Sequence, residues 1–147
     1  MDAAWLDDYI GAWVLHARAG SPDGAEALAD LLKFMSPNVQ YKDLPTGLEY
    51  VGHEGVKEMS TGAYQWSSDL TFTVHTRQTN GSLFPFESEV TGTNTGDFGS
   101  VPATGRRFVL WGVSVGRVSR EGLVQEHRDY WDMPGFMVQI GAMTAPS

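Results

Sequence analysis

Cysteine is absent from the 147 residues, which removes disulfides, thiolate nucleophiles and zinc–thiolate sites together. Basic residues are scarce: ten Lys and Arg stand against eighteen Asp and Glu, for a formal net charge of -8. The nearest approach to a basic cluster is Arg106-Arg107. Nucleic acid and anionic membrane surfaces both need clustered cations, so neither is an expected partner. No stretch approaches the roughly 18 apolar residues of a membrane span. The acidic opening MDAAWLDDYIGAW lacks the basic start and apolar run of a signal peptide, so the expectation is a cytoplasmic, soluble protein. A phosphate-binding Gly-Lys-[Ser/Thr] loop and a Gly-x-Ser-x-Gly nucleophile elbow are missing too, which leaves nucleotide hydrolysis and serine chemistry unsupported.

What remains fits a single domain over residues 1–147, long enough for one sizeable core. Trp5, Leu6, Tyr9, Ile10, Trp13, Val14 and Ala17 recur at helical spacing over residues 4–18. Ser21-Pro22 reads as the cap and first turn of a second helix reaching Met35, ended by Ser36-Pro37-Asn38. Residues 39–43 alternate as a short strand, 44–52 read as a loop, and residues 53–66 as a third helix. From Leu70 the period changes to two. Asn80-Gly81 marks a hairpin, residues 82–95 form its return strand, and 107–119 and 123–132 form a second pair joined by Ser119-Arg120-Glu121-Gly122. Phe136, Met137 and Ile140 suggest one more helical turn. Helices segregated from an antiparallel sheet make the class α+β.

The chemistry concentrates in Val124–Ile140, where a two-residue period puts His127, Asp129 and Trp131 on one face and Glu126, Arg128, Tyr130 and Asp132 on the other. A carboxylate and an imidazole beside a Trp on the last strand of an antiparallel sheet are a candidate reaction centre.

Two runs carry a family resemblance. Gly92-Thr93-Asn94-Thr95-Gly96-Asp97-Phe98 with Pro102-Ala103-Thr104-Gly105-Arg106, and Glu126-His127-Arg128-Asp129 with Asp132 and Gln139-Ile140-Gly141, resemble the SnoaL-like polyketide cyclases. These share a superfamily with nuclear transport factor two, ketosteroid isomerases and limonene epoxide hydrolases. The resemblance implies a conical α+β barrel: a curved antiparallel sheet wrapped around three N-terminal helices, with a deep apolar pocket between them. It also implies acid–base chemistry on a hydrophobic small molecule with no cofactor and no metal. A homodimer or homotetramer packed through the outer sheet face is implied as well.

Tyr41-Lys42-Asp43-Leu44-Pro45 and Arg128-Asp129-Tyr130-Trp131-Asp132 are similar to segments of limonene epoxide hydrolases. There the matching Tyr and Asn hold the attacking water and the matching Asp takes its proton. This chain departs twice: Asp43 stands where Asn is expected, and Glu87-Ser88-Glu89 where that family has an Arg-x-Asp pair.

The catalytic candidates are therefore Asp129 as acid or base, His127 and Tyr41 assisting, Asp43 placing a nucleophile, and Glu89 as an acid if it faces inward. Burial is expected to raise the proton affinity of Asp129. Glu87, Trp13, Tyr64, Trp66, Phe72, Trp111 and Trp131 are candidate pocket walls. Three readings follow: cyclisation or isomerisation of a polyketide- or terpenoid-like substrate, epoxide opening by water or an internal hydroxyl, and a non-catalytic small-molecule-binding or dimerisation module.

Overall fold

The computed structural model describes residues 1–146. Its elements run α1 (Ala3–Trp13), α2 (His16–Ala19), α3 (Ala25–Leu32), β1 (Met35–Asp43), β2 (Leu48–Val51), α4 (Gly52–Trp66), β3 (Thr71–Arg77), β4 (Leu83–Thr93), β5 (Arg107–Val118), β6 (Val124–Trp131) and α5 (Met133–Ile140). The class is α+β. The six strands form one curved sheet in the order β2-β1-β6-β5-β4-β3, open between its two edge strands. No helix among the described residues is long and apolar enough to cross a membrane.

The last strand in the chain is not at the edge of the sheet, nor in a purely antiparallel one. β6 lies between β5 and β1, and it pairs with β1 in parallel. Parallel neighbours need a long crossover; here more than half of the chain separates them, so local sequence carries no sign of the pairing. Its consequence is direct: the register sets Tyr41 beside His127 and Asp43 beside Asp129.

Four further boundaries differ from the sequence expectation. The helix expected over residues 4–18 breaks after Trp13, and α2 resumes at His16. Residues 21–24 close a turn, with the Gly24 amide on the Ser21 carbonyl at 3.0 Å, so α3 begins later, at Ala25. Met35 and Ser36-Pro37-Asn38 belong to β1. The β1–β6 register shifts between Met35 and Gln40, and Pro37 sits in that irregular stretch, where the ladder does not need its missing N–H. Residues 48–51 form an edge strand, mostly exposed and too short to show a periodicity.

The hairpins fall where the turn residues put them. Gly81 and Gly122 both take positive φ, 62° and 80°, which glycine adopts without a Cβ clash. α5 is longer than one turn because Asp132 caps it through the Gly135 amide at 2.9 Å, Pro134 lies in its first turn, and Gly141 closes it in the left-handed region.

The inner face of the sheet is packed by two apolar clusters. One gathers Leu6, Tyr9 and Trp13 of α1 with Tyr41, Phe84 and Phe86; the other gathers Val90, Phe108 and Leu110 with Phe136 and Ile140 of α5. On the outer face, Val109, Trp111, Val113 and Tyr130 are each 40–48% exposed and adjoin through the β5–β6 pairing. Together they make a contiguous exposed apolar patch, a kind of surface that often marks an interaction site.

Candidate active site

A cavity of about 320 Å³ opens between α1, α2, α4 and the inner face of the sheet. This lies at the lower end of the range for small-molecule sites. Its walls are mainly apolar: Trp13, Met59, Trp66, Phe72, Leu110 and Trp131 among others. Three carboxylates break that lining: Asp129 from β6 and Asp43 from β1 on the sheet, and the exposed Asp97, whose Oδ1 accepts the Ala103 amide at 2.9 Å.

Asp129 is held by three donors. His127 Nε2 and Ser114 Oγ meet Oδ1 at 2.8 and 2.6 Å, and the Tyr41 hydroxyl donates to Oδ2. The Tyr41 oxygen in turn accepts the Trp13 indole N–H at 2.8 Å. Behind Asp129, His127 is fully enclosed, stacked on Tyr41 at 4.4 Å and 7° and met at Nδ1 by the Tyr9 hydroxyl at 2.7 Å. Burial alone would raise the proton affinity of Asp129. The His127 interaction, with the Ser114 and Tyr41 hydrogen bonds, outweighs it and holds the carboxyl below the ordinary range. This reverses the expected direction, because local sequence shows the burial but not the donors. Burial and the Asp129 charge push both Tyr9 and Tyr41 well up, so both keep their protons as donors.

Asp43 sits nearer the mouth. Its Oδ1 accepts the Trp131 indole N–H at 2.7 Å and its Oδ2 the Thr46 hydroxyl. Burial shifts it upward, against the pull of Thr46 and Trp131, and the neighbouring Asp129 charge adds to the rise. Two carboxyls on adjacent parallel strands thus move in opposite directions.

The family model for SnoaL-like polyketide cyclases matches residues 20–140. The chain belongs to the SnoaL-like polyketide cyclase family. No curated protein matches it. Among solved structures it resembles TsrD from Streptomyces laurentii, with 21% identity, TM-score 0.81, and 97% of this chain and 99% of that one covered. It also resembles IdmH, a candidate polyketide cyclase from Streptomyces antibioticus, at 24% identity and TM-score 0.70, covering 92% and 97%. A third is a protein of ketosteroid isomerase-like fold from Catenulispora acidiphila, bound to trimethylamine, at 16% identity and TM-score 0.74, covering 95% and 98%. At these identities the likeness is one of fold.

Within this SnoaL-like fold, Asp129, Tyr41, Asp43, Trp13, Trp66, Phe72 and Trp131 all line the one cavity. His127 does not; it touches Asp129 from behind and positions it. The single Tyr41 proton is committed to Asp129, so Tyr41 also holds the carboxylate rather than standing free as an oxyanion donor. Four candidates lie elsewhere. Phe84, Phe86 and Val90 fill the inner face of β4, so strict alternation turns Glu87 and Glu89 outward, and Glu89 meets His75 at 3.3 Å on the outer surface. Trp111 is outward by the same rule, 47% exposed and beside the His75 ring. Tyr64 projects from the other side of α4, into a shallow groove with Lys57 and Thr61. Sequence reasoning missed Ser114 and assigned Tyr9 only to packing. The alternation of buried Phe108, Leu110 and Ser114 along β5 was the available signal for the first.

Because Asp129 titrates below its unfolded value, the stability it contributes is in place above the ordinary Asp pKa of about 3.9 and is lost as pH falls through the folded value. The Asp129→Asn protein should therefore lose less of its urea midpoint than wild type between about pH 4 and pH 2. Parallel acid losses in the two proteins would contradict an ionised, donor-stabilised Asp129.

Proposed function

We propose that this protein is a cofactor-independent acid–base enzyme that cyclises or isomerises a hydrophobic, polyketide- or terpenoid-like molecule. The observation that carries this reading is the pair Asp43 and Asp129. The two share one apolar cavity, with proton affinities driven apart. Carboxyls separated in this way divide into base and acid. Family membership supports a cyclase-type role.

In this scheme Asp129, ionised, removes a proton from a carbon next to a carbonyl. An Asp carboxylate has about four acceptor positions, and three are occupied, which leaves one for the substrate. The enolate carbon then attacks a second carbonyl of the same molecule and forms the new C–C bond. Asp43, the carboxyl whose proton affinity is raised, passes a proton to the resulting alkoxide, and exchange with water after product release takes the proton from Asp129 and restores that of Asp43. For an isomerisation the same two groups take a proton from one carbon and return one to another. His127, Ser114 and Tyr41 keep the base oriented and bring no proton of their own into the cavity.

The same Tyr41, Asp43 and Asp129 would serve an epoxide opening, which remains the second reading. It fares less well, since the acid it assigned to Glu89 is on the outer surface. A purely structural role expects a filled cone with no space at Asp129, and the cavity argues against it; a non-catalytic binder would share the cavity and differ in showing no turnover.

The test is proton exchange and turnover on a set of β-dicarbonyl polyketide mimics in D₂O, followed by NMR, with limonene epoxide in oxygen-18 water alongside. Wild type should exchange the acidic carbon proton and give no labelled diol. Asp129→Asn should keep the fold and lose about 10²–10⁴-fold in exchange rate. Unchanged exchange in that variant would sink the scheme, and a labelled diol would move the assignment to epoxide opening.

We also propose that two or more copies pack through the outer sheet face, where Val109, Trp111, Val113 and Tyr130 are exposed. Sedimentation should show an oligomer for wild type and a smaller species for Trp111→Glu; identical profiles, or a monomeric wild type, would exclude that face as the interface.

A further inference from the structure

His16 is a polar group of the cavity that neither the scheme above nor the motif analysis uses. It opens α2, is only 5% exposed, and still lines the cavity. Its ring lies against Phe72 at 4.6 Å and Trp13 at 4.9 Å. Its Nδ1 is 2.8 Å from the backbone carbonyl of Trp13. A carbonyl only accepts, so Nδ1 carries the proton. That fixes the tautomer and leaves Nε2 as a bare lone pair, with no protein partner among the described residues. Burial also lowers the proton affinity of the ring, against the pull of Asp129. A neutral imidazole in this tautomer can do one thing at Nε2, which is to accept.

The rest of the inner cavity is differently equipped. The oxygens of Asp129, Tyr41 and Ser114 are engaged with one another, and those of Asp43 with Thr46 and Trp131. Ser88 also lines the cavity, but a hydroxyl donates as readily as it accepts. His16 is thus a neutral acceptor whose built geometry selects for a donor on the ligand, apart from the free positions on the carboxylates.

We propose that His16 Nε2 is a specificity site that accepts a hydrogen bond from a hydroxyl of the ligand, on a largely apolar molecule that packs beside the touching rings of Trp13 and Phe72. The ligand class is then a hydroxyl-bearing apolar compound, a phenol, enol or alcohol, rather than a wholly capped ether or hydrocarbon. This rests on the reading that the cavity takes an apolar small molecule. It does not rest on the base assignment of Asp129.

The probes are 2-naphthol and 2-methoxynaphthalene, which share the ring system and differ in the donor. Their dissociation constants are measured by Trp fluorescence for wild type, His16→Phe and Asp129→Asn. One neutral hydrogen bond should make the preference for 2-naphthol about three- to tenfold greater in wild type than in His16→Phe. It should survive in Asp129→Asn. As a check that needs no variant, the His16 Nε2 resonance in a ¹⁵N long-range NMR spectrum should move with 2-naphthol and stay still with 2-methoxynaphthalene.

Preference lost in Asp129→Asn but retained in His16→Phe would overturn the proposal, as would a still Nε2 resonance with 2-naphthol. Should His16→Phe fail to fold, the resonance decides alone. If neither compound binds wild type, the cavity reading fails and this inference with it; if both bind with no His16-dependent preference, only the inference fails.

Discussion

A carboxylate removed from water has to find its hydrogen bonds inside the protein, and the geometry around Asp129 is organised by that need. Its three donors come from three separate strands: Tyr41 from β1, Ser114 from β5 and His127 from β6 itself. Two of those donors are held in turn by α1, through Tyr9 on His127 and Trp13 on Tyr41. Leaving such a charge without partners would cost several kcal/mol, so the sheet register, the helix position and the charge state of Asp129 depend on one another.

The parallel β1–β6 pair is what makes the arrangement possible. It carries Tyr41 next to His127 and Asp43 next to Asp129, across a sequence separation of more than half the chain. Asp43 inherits the opposite environment: two donors instead of three, and a charged neighbour on the adjacent strand. One pair of strands therefore yields two chemically distinct carboxyls within a single apolar cavity.

Much of this was legible in local pattern. Alternation placed His127, Asp129 and Trp131 on a common face, Asn80-Gly81 and Glu121-Gly122 marked the hairpins, and the apolar stripe from Trp5 to Ala17 marked a first helix, which the structure breaks after Trp13. The same alternation, applied to Phe84, Phe86 and Val90, was enough to turn Glu87 and Glu89 outward, and the structure does so. What local pattern does not carry is pairing between distant strands and the identity of hydrogen-bond partners. For that reason the burial of Asp129 was foreseen while the direction of its shift was not. Trp111 and Tyr64 fail as cavity residues for a related reason: an aromatic at strand or helix spacing does not declare which of two faces has room for it.

The central claim is that one cavity holds two Asp carboxyls with separated proton affinities, the lower belonging to Asp129. Site-resolved ¹³C NMR of the aspartate carboxyls across an acid titration measures this without a substrate. The account predicts that the Asp129 resonance titrates below the ordinary Asp value of about 3.9 and that of Asp43 above it. The reverse order, or two coincident curves at the ordinary value, would contradict it.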